Sequence, residues 1–290
     1  KVTPEGLNSS VTRGSKKGMS ALYVLVCRQI GRNILLEDKS FAEKVTNEGL
    51  NKQLSTKVSR HCPEKSSVLW MICRFHCFAL FEKYPRWLTD ISKKVLNTII
   101  LDSKYRGQSI LWYLTAFAPK ILLQGQQAII DKITVTGLNM PVCPLVQPRG
   151  GTSALFYIFG RPELFSVVQS NNMFFEKITK KGLNALPCIG ASPLGQLISH
   201  KGGQLLLESN RNLQNKITQR GLYTICTKGA LKGLSTFAVM KEIYANKLLN
   251  ILPGSVIGTD EQQTIKHNSI FLSSEPSKDK HQKEPRTQTR

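Results

Sequence analysis

The sequence is poor in acidic residues. Its 290 residues include 19 Asp and Glu against 40 Lys and Arg, which gives a formal net charge of +21. Aromatic residues make up only 8% of the chain. Paired carboxylates, which many hydrolases use, are therefore scarce, and a basic excess of this size favours partners of negative charge.

Long apolar runs are also missing. The longest stretch, residues 67–81, is interrupted by Arg74 and His76 and is shorter than the roughly 20 residues of a membrane-spanning helix. Seven cysteines, an odd number, are scattered through the chain, which predicts reduced thiols and a cytoplasmic protein. The chain begins at Lys1 rather than at Met, so we expect a fragment or a processed form.

Catalytic motifs are absent as well. A nucleophile elbow requires Gly two residues after Ser, and none of the recurring Gly-x-Ser motifs meets this requirement. The sequence has no phosphate-binding loop, no dinucleotide fingerprint and no His-Glu-x-x-His. We therefore expect a protein that is not an enzyme and uses no cofactor. The alternative is that this chain is the targeting part of an enzyme whose catalytic domain lies outside it.

What the sequence does contain is an internal repeat. Three landmarks recur in order: a Lys-Val/Ile-Thr segment, then Gly-Leu-Asn, and some ten residues later Gly-x-Ser-x-Leu. The first landmark ends at Thr3, Thr46, Ser92, Thr134, Thr179 and Thr218. The serine of the third landmark occurs at Ser20, Ser67, Ser109, Ser153, Ser192 and Ser235. Two such series of residues would not keep the same spacing over six copies by chance.

Each unit is expected to be helical. Leu, an aromatic residue and a further Leu or Ile follow the third-landmark serine on one helical face, and Ser is a favourable N-cap. A second apolar cluster predicts a second helix, and the Lys-Val/Ile-Thr segment predicts a third. The predicted core includes Leu22, Leu25, Leu69, Leu111, Leu114, Leu155, Ile158 and Leu194.

The Gly-Leu-Asn landmark has two interpretations. In the first, which we favour, Gly49 ends the third helix in a Schellman motif, with Val45 and Leu50 as its apolar pair. In the second, the preceding threonine caps a new short helix, which begins at Pro4 in the first unit. Pro4, and Val95 in place of glycine in the third unit, fit the first interpretation poorly.

A helical unit of this length cannot bury its apolar face alone, so we expect an all-α protein, an α-solenoid of about six helical repeats of 39–47 residues. The repeat domain would span residues 1–258, with units near 1–43, 44–90, 91–131, 132–176, 177–215 and 216–258. Residues 259–290 form a C-terminal extension, which we expect to be disordered from about residue 273 because it has almost no apolar residues.

The repeat resembles the ankyrin repeat. The segment Gly-Met-Ser-Ala-Leu-Tyr-Val-Leu at 18–25 is similar to the opening of an ankyrin unit, in which Gly precedes Thr-Pro-Leu-His-x-Ala. The present unit is longer than the roughly 33 residues of ankyrin, and the Gly-Leu-Asn element has no ankyrin counterpart. The chain looks like the divergent ankyrin-like repeats of effectors from intracellular bacteria such as Legionella. This resemblance implies protein–protein binding and a secreted bacterial effector, or part of one. It carries over no catalytic residue.

One cluster has metal-ligand chemistry, and its residues are His61, Cys62, Cys73, His76 and Cys77. Thiolate and imidazole are zinc ligands, and Cys-x-x-His can share a helical face. However, Cys73 occupies the position that Val26 holds in the first unit, and a buried thiol commonly replaces a buried valine. We therefore predict no metal site.

Lysine recurs at one position of the repeat, as Lys44, Lys132, Lys177 and Lys216, and we call these four residues the lysine row. Equivalent positions of a solenoid form a line, so the row is the candidate binding surface. The alternative is that each lysine covers apolar surface and is partly neutralised by a neighbouring acid. The landmark asparagines Asn8, Asn51, Asn97, Asn139 and Asn184 are expected to bond loop backbone in their own or the next unit.

These observations favour a non-enzymatic repeat scaffold that binds another protein through an extended basic surface, the partner's own surface being acidic. Nucleic acid or an anionic membrane is the alternative partner, on charge alone. The recurring aromatics lie on the predicted buried face, which argues against base stacking. Nothing in the sequence indicates a small-molecule substrate.

Overall fold

The computed structural model describes residues 2–102, 104–124, 126–144, 149–169, 171–188, 190–226, 232–244 and 247–257. Over these residues the protein is all-helical, with 23 short α-helices, two 3-10 turns and no β-strand beyond four isolated bridges. The C-terminal extension 259–290, including the disorder expected from about residue 273, lies outside the described residues.

The helices recur with the period of the sequence landmarks, four to a unit in the first five units. The first unit contains α1 Pro4–Asn8, α2 Ala21–Cys27, α3 Gln29–Glu37 and α4 Lys39–Glu43. The second contains α5 Asn47–Asn51, α6 Val68–Arg74, α7 Ala79–Lys83 and α8 Arg86–Thr89. The third contains α9 Lys93–Asn97, α10 Ile110–Phe117, α11 Pro119–Gln124 and α12 Gln126–Ile130.

The remaining helices follow the same order. The fourth unit contains α13 Val135–Asn139, α14 Ala154–Phe159, a 3-10 turn Pro162–Leu164 that leads into α15 Phe165–Gln169, and α16 Asn172–Glu176. The fifth contains α17 Lys180–Leu183, α18 Pro193–Ile198, α19 Lys201–Ser209 and α20 Arg211–Gln214. The sixth contains α21 Gln219–Tyr223, α22 Thr236–Ile243, α23 Leu248–Ile251 and the 3-10 turn Gly254–Val256.

The first helix of each unit corrects the favoured interpretation of Gly-Leu-Asn. The landmark threonine or serine does not precede a helix stop; it is the N-cap of a new helix, and its hydroxyl accepts a hydrogen bond from the backbone N–H three residues on. Pro4 therefore occupies the first helical turn, where its missing N–H has no cost. The Schellman ending at Gly49 was wrong, and the alternative helix beginning at Pro4 is confirmed.

The serines of the third landmark are N-caps, as predicted. The hydroxyl of Ser109, for example, accepts a hydrogen bond from the N–H of Trp112 at 3.1 Å, and the other five serines cap their helices in the same way. The preceding glycine takes a positive φ in five units. In the second unit Lys65 occupies this position with φ of 66°. This conformation is unfavourable for any residue with a Cβ.

A hairpin, which no sequence landmark predicts, connects the first and second helices in five of the units. In the third unit the N–H of Ile100 donates to the carbonyl of Gln108, and the N–H of Gly107 donates back to the carbonyl of Ile100. The same pair of bonds occurs at Val11, Leu54, Val142 and Cys226. The positive φ of the glycine turns the chain back toward the next helix, which is why that landmark recurs.

The core runs along the second helices of the units. In chain order α2 packs on α6, α6 on α10, α10 on α14, α14 on α18 and α18 on α22. Seven of the eight predicted core residues are buried, and Leu25 is half-buried against the same core. Helices this short are unstable alone, so packing of one unit on the next stabilises them.

The asparagines join each unit to the one that follows. The side-chain amide of Asn97 donates to the carbonyls of Lys93 in its own helix and of Lys132 at the end of its unit, both at 2.7 Å. Its oxygen accepts from the N–H of Thr134 at 2.9 Å. The equivalent bonds are made by Asn8, Asn51, Asn139 and Asn184. The predicted role of the asparagines is confirmed, and we call each set an asparagine clamp.

Candidate functional site

The lysine row lies at the end of the fourth helix of its units, and all four of its side chains are half-buried. The ammonium of Lys132 donates to the carbonyl of Thr89 at 2.6 Å, and that of Lys216 donates to the carbonyl of Phe175 at 2.6 Å. Lys177 donates to the carbonyl of Ile130 at 3.3 Å. Each of these three lysines therefore reaches back to the main chain of the preceding unit.

Burial lowers the pKa of Lys177 and of Lys216, because removal from water penalises the charged form. The nearby carboxylates of Asp131 and Glu176 act in the opposite direction and raise the pKa of Lys177 and Lys216 respectively. Both acids belong to the preceding unit. The lysine row thus has the acidic neighbours and the partial burial that are expected if each lysine covers apolar surface and is partly neutralised by a neighbouring acid.

The second unit makes the same connection with different residues. Asp90 occupies the lysine position there, and its carbonyl accepts from Asn51 at 2.9 Å. The guanidinium of Arg86 reaches the preceding unit instead and donates to the carbonyls of Ala42 at 3.2 Å and Val45 at 3.3 Å. A cation therefore contacts the main chain of the preceding unit even in the unit that has no lysine at this position. This favours a structural role for the lysine row.

The cysteine and histidine cluster does not converge. Cys73 is fully buried in the core, as expected for a replacement of Val26. The ring of His76 lies against Phe117, with centroids 4.3 Å apart. Among the described residues no group of three or more His, Cys, Asp and Glu side chains is placed to hold a metal ion.

Cys62 does have an unusual environment. Hydrogen bonding from Cys27 lowers the pKa of the Cys62 thiol to about 6, while the same bond and burial raise the pKa of Cys27. Cys27 ends α2 of the first unit and Cys62 lies in the hairpin of the second, so the two thiols meet at a boundary between units. No disulfide is formed among the described residues.

A concave surface lies elsewhere, between the hairpins and the first helices of the second to fifth units. It consists of three adjoining cavities of about 620, 480 and 230 Å³, and Met140 lines all three. We call this surface the hairpin groove. Its exposed apolar side chains are Leu101, Val135, Met140 and Leu186, each between 41% and 61% exposed.

Backbone hydrogen bonds between neighbouring hairpins hold the wall of the groove. The N–H of Cys143 donates to the carbonyl of Arg106 at 2.8 Å, which ties the hairpin of the fourth unit to that of the third. The N–H of Cys188 donates to the carbonyl of Gly150 at 3.0 Å, which ties the fifth unit to the fourth. These bonds join three successive units into one wall.

Basic side chains surround the apolar floor. Lys65, Lys94, Arg106 and Lys181 line the three cavities and are exposed, whereas Glu64 is the one acidic residue in the described lining of these cavities. None of the four cations has a carboxylate partner among the described residues. At the edge of the groove the charges of Lys57 and Asp102 are paired with each other.

Sequence reasoning did not identify this groove. Its floor comes from residues just after the first helix of each unit, where the units differ from one another and no landmark recurs. The sequence did contain a signal for it, because a large apolar residue followed by Pro lies close to two of the landmark asparagines. Met140 directly follows Asn139, and Leu186 lies two residues after Asn184. No helix in the described part of the chain has the length and apolar character needed to cross a membrane.

Comparison with known proteins gives no relative: no family model, curated protein or solved structure matches this chain.

Proposed function

We propose that this protein is a non-enzymatic repeat scaffold, an ankyrin-like α-solenoid of six units, that binds another protein with an acidic surface. The stacking of α2, α6, α10, α14, α18 and α22 in chain order supports the solenoid. The hairpin between the first two helices of five units adds to the resemblance to ankyrin. We further propose that the protein works in the cytoplasm with its thiols reduced.

The observation that carries the proposed function is the hairpin groove, in which exposed apolar side chains lie among cations that have no carboxylate partner. Exposed apolar surface rimmed by polar residues is typical of protein-binding sites. Across the whole chain Lys and Arg outnumber Asp and Glu by 40 to 19, and only three ion pairs form among the described residues. An acidic partner would supply the missing counter-charges.

Nucleic acid and anionic membrane remain the alternative partners. Binding of single-stranded nucleic acid commonly uses exposed aromatic rings on which bases stack. The recurring aromatics Tyr23, Trp70 and Trp112 are buried in the core, and the described lining of the groove is aliphatic. A flat membrane surface has no segment that fits a concave groove. These points favour a protein partner.

A photoreactive phenylalanine analogue at position 140 tests this function in the cells that produce the protein. The matched control carries the analogue at Ile30, which is exposed on α3 outside the groove. We expect irradiation to produce a protein adduct of low isoelectric point at position 140, lost at high salt, and none at position 30. Adducts that nuclease removes, lipid adducts, or equal labelling at both positions would contradict the proposal.

A further inference from the structure

The shape of the hairpin groove defines the kind of segment that it can hold. Leu101, Met140 and Leu186 follow the first helices of three successive units, so neighbouring apolar contacts are separated by one unit. Packed helices lie about 8–10 Å apart. A segment in the extended polyproline II conformation advances about 3.1 Å per residue with three residues per turn, so three residues cover one unit and every third side chain lies on the same face.

The charges of the hairpin groove indicate the composition of the segment that it can hold. Lys94, Arg106 and Lys181 line the same cavities as the apolar contacts, and Lys65 belongs to the part of the groove in the second unit. All four are exposed and project from elements that the clamps and hairpin bonds hold in place. Carboxylates on the two residues between successive apolar side chains would lie beside these cations.

We propose that the hairpin groove binds an extended acidic segment of a partner protein, with an apolar side chain at every third residue and Asp or Glu between. This inference rests on the proposed function and adds the class of segment that is recognised. The apolar side chains cover Leu101, Met140 and Leu186, while the carboxylates pair with the cations of the rim. Apolar contact contributes affinity, and charge pairing contributes orientation and rate of association.

The C-terminal extension of this chain is a poor occupant. Residues 259–290 contain six Lys and Arg against five Asp and Glu, so the extension has no acidic excess to match the basic rim. Charge complementarity therefore favours a segment from another protein over this chain's own extension.

Fluorescence anisotropy with synthetic peptides tests the proposal on the full chain. The probe is a labelled peptide of Leu-Glu-Glu repeats, and the control peptides replace either Glu by Lys or Leu by Ser. We expect the Leu-Glu-Glu peptide to bind at least about tenfold more tightly than either control. Equal binding of the Ser-Glu-Glu peptide would overturn the proposal, because it would show attraction between charges without recognition of apolar side chains.

Variants separate the two contributions. Exchange of both Lys94 and Lys181 for Glu should weaken binding about tenfold and remove most of its salt dependence, since exposed charges are screened over about 8 Å at physiological ionic strength. Exchange of both Leu101 and Met140 for Ser should weaken binding without changing the salt dependence. The control exchanges Lys120 and Lys201, two exposed lysines on α11 and α19 outside the groove, for Glu and should leave affinity unchanged.

The outcomes distinguish this inference from the proposed function. A protein adduct at position 140 together with no preference for the Leu-Glu-Glu peptide would refute the extended acidic segment and retain protein binding. Equal loss of affinity in the Lys120 and Lys201 control would show that net charge, rather than the groove, determines binding. Tighter peptide binding after removal of residues 259–290 would identify the extension as the occupant and overturn the assignment to a partner.

Discussion

The amide oxygen of Asn97 lies where a side chain at Gly137 would begin. A Cβ atom built on Gly137 would be 2.1 Å from that oxygen, well inside the contact distance of any two atoms. The same relationship joins Asn8 to Gly49, Asn139 to Gly182, and Asn184 to Gly221. Glycine and asparagine of the Gly-Leu-Asn landmark therefore meet between units: glycine leaves the space that the preceding asparagine fills.

Removal of one clamp should be costly. Exchange of Asn97 for Ala leaves the N–H of Thr134 and the carbonyl of Lys132 without the amide that bonds them, and Asn97 is largely buried. We expect the free energy of unfolding to fall by about 2–3 kcal/mol in urea titrations. Asn33→Ala, at an exposed helical position, is the control and should change it by less than about 0.5 kcal/mol. Equal effects of both would show that the clamp contributes nothing.

The meeting of Asn97 and Gly137 predicts non-additive mutations. Gly137→Ala alone should destabilise the protein, because its new methyl group displaces the amide of Asn97. In the Asn97→Ala background the methyl group has room, so the same change should cost much less. A double-mutant cycle should give a coupling energy of about 1–3 kcal/mol. Strict additivity would mean that the two residues do not restrict each other.

Lys65 offers a stabilising substitution. Its φ of 66° is left-handed, whereas glycine holds this position in the other five units. The left-handed conformation costs about 1–2 kcal/mol for a residue with a Cβ, and glycine loses about 0.5–1 kcal/mol through its freedom in the unfolded chain. Lys65→Gly should therefore raise stability by about 0.5–1 kcal/mol. Gly107→Ala, at φ of 94°, should lower it; a destabilised Lys65→Gly variant would refute the strain.

Tyr23 predicts loss of stability in alkali. Burial raises the pKa of its hydroxyl, which bonds to Ser66 at 2.7 Å, above the usual value of 10.0. Because the unfolded chain releases this proton first, the unfolded state binds fewer protons above pH 10, and stability falls as pH rises. Tyr23→Phe should reduce that fall when urea midpoints are compared between pH 8 and pH 11. Identical slopes in both proteins would show that Tyr23 does not contribute.

The lysine row can be assigned by comparing two of its members. Lys216→Met removes the bond to Phe175 and should lower the free energy of unfolding by about 1–2 kcal/mol. Lys44→Met is the matched control, since the ammonium of Lys44 makes no hydrogen bond among the described residues. Binding to heparin should weaken slightly and equally in both variants. A large loss of heparin binding with unchanged stability would restore the row as a contact surface.

The sequence was most informative where units repeat. Six serine caps and the asparagine contacts between units were predictable, because each depends on a residue that must recur whenever the unit does. The first helix was misassigned because two patterns fit the sequence equally well. Val45 and Leu50 have the spacing of the apolar pair of a Schellman ending, and Thr46 is a favourable N-cap residue. The backbone of Thr46, which is extended, decides between the two, in agreement with Pro4 and Val95, which fit a helix stop poorly.

The candidate site was least predictable, for the opposite reason. Leu101, Met140 and Leu186 occupy different offsets from their landmark asparagines, so no repeat pattern marks them. Their exposure depends on how hairpins of neighbouring units align, which is set by bonds such as that from Cys143 to Arg106. The lysine row recurs, and the sequence located it, but recurrence there coincides with a contact between units.

All the asparagine clamps make the same set of hydrogen bonds, and each points toward the C-terminal neighbour of its unit. Each amide bonds one carbonyl of its own helix and reaches forward to the same two backbone positions at the boundary with the following unit, so every junction uses the same connector. An excision of residues 135–179 removes one whole period: Thr134 remains as the cap, Lys180 follows it, and Gly182 takes the place of Gly137 beside Asn97. Insertions and deletions of whole periods therefore preserve the asparagine clamp at every junction.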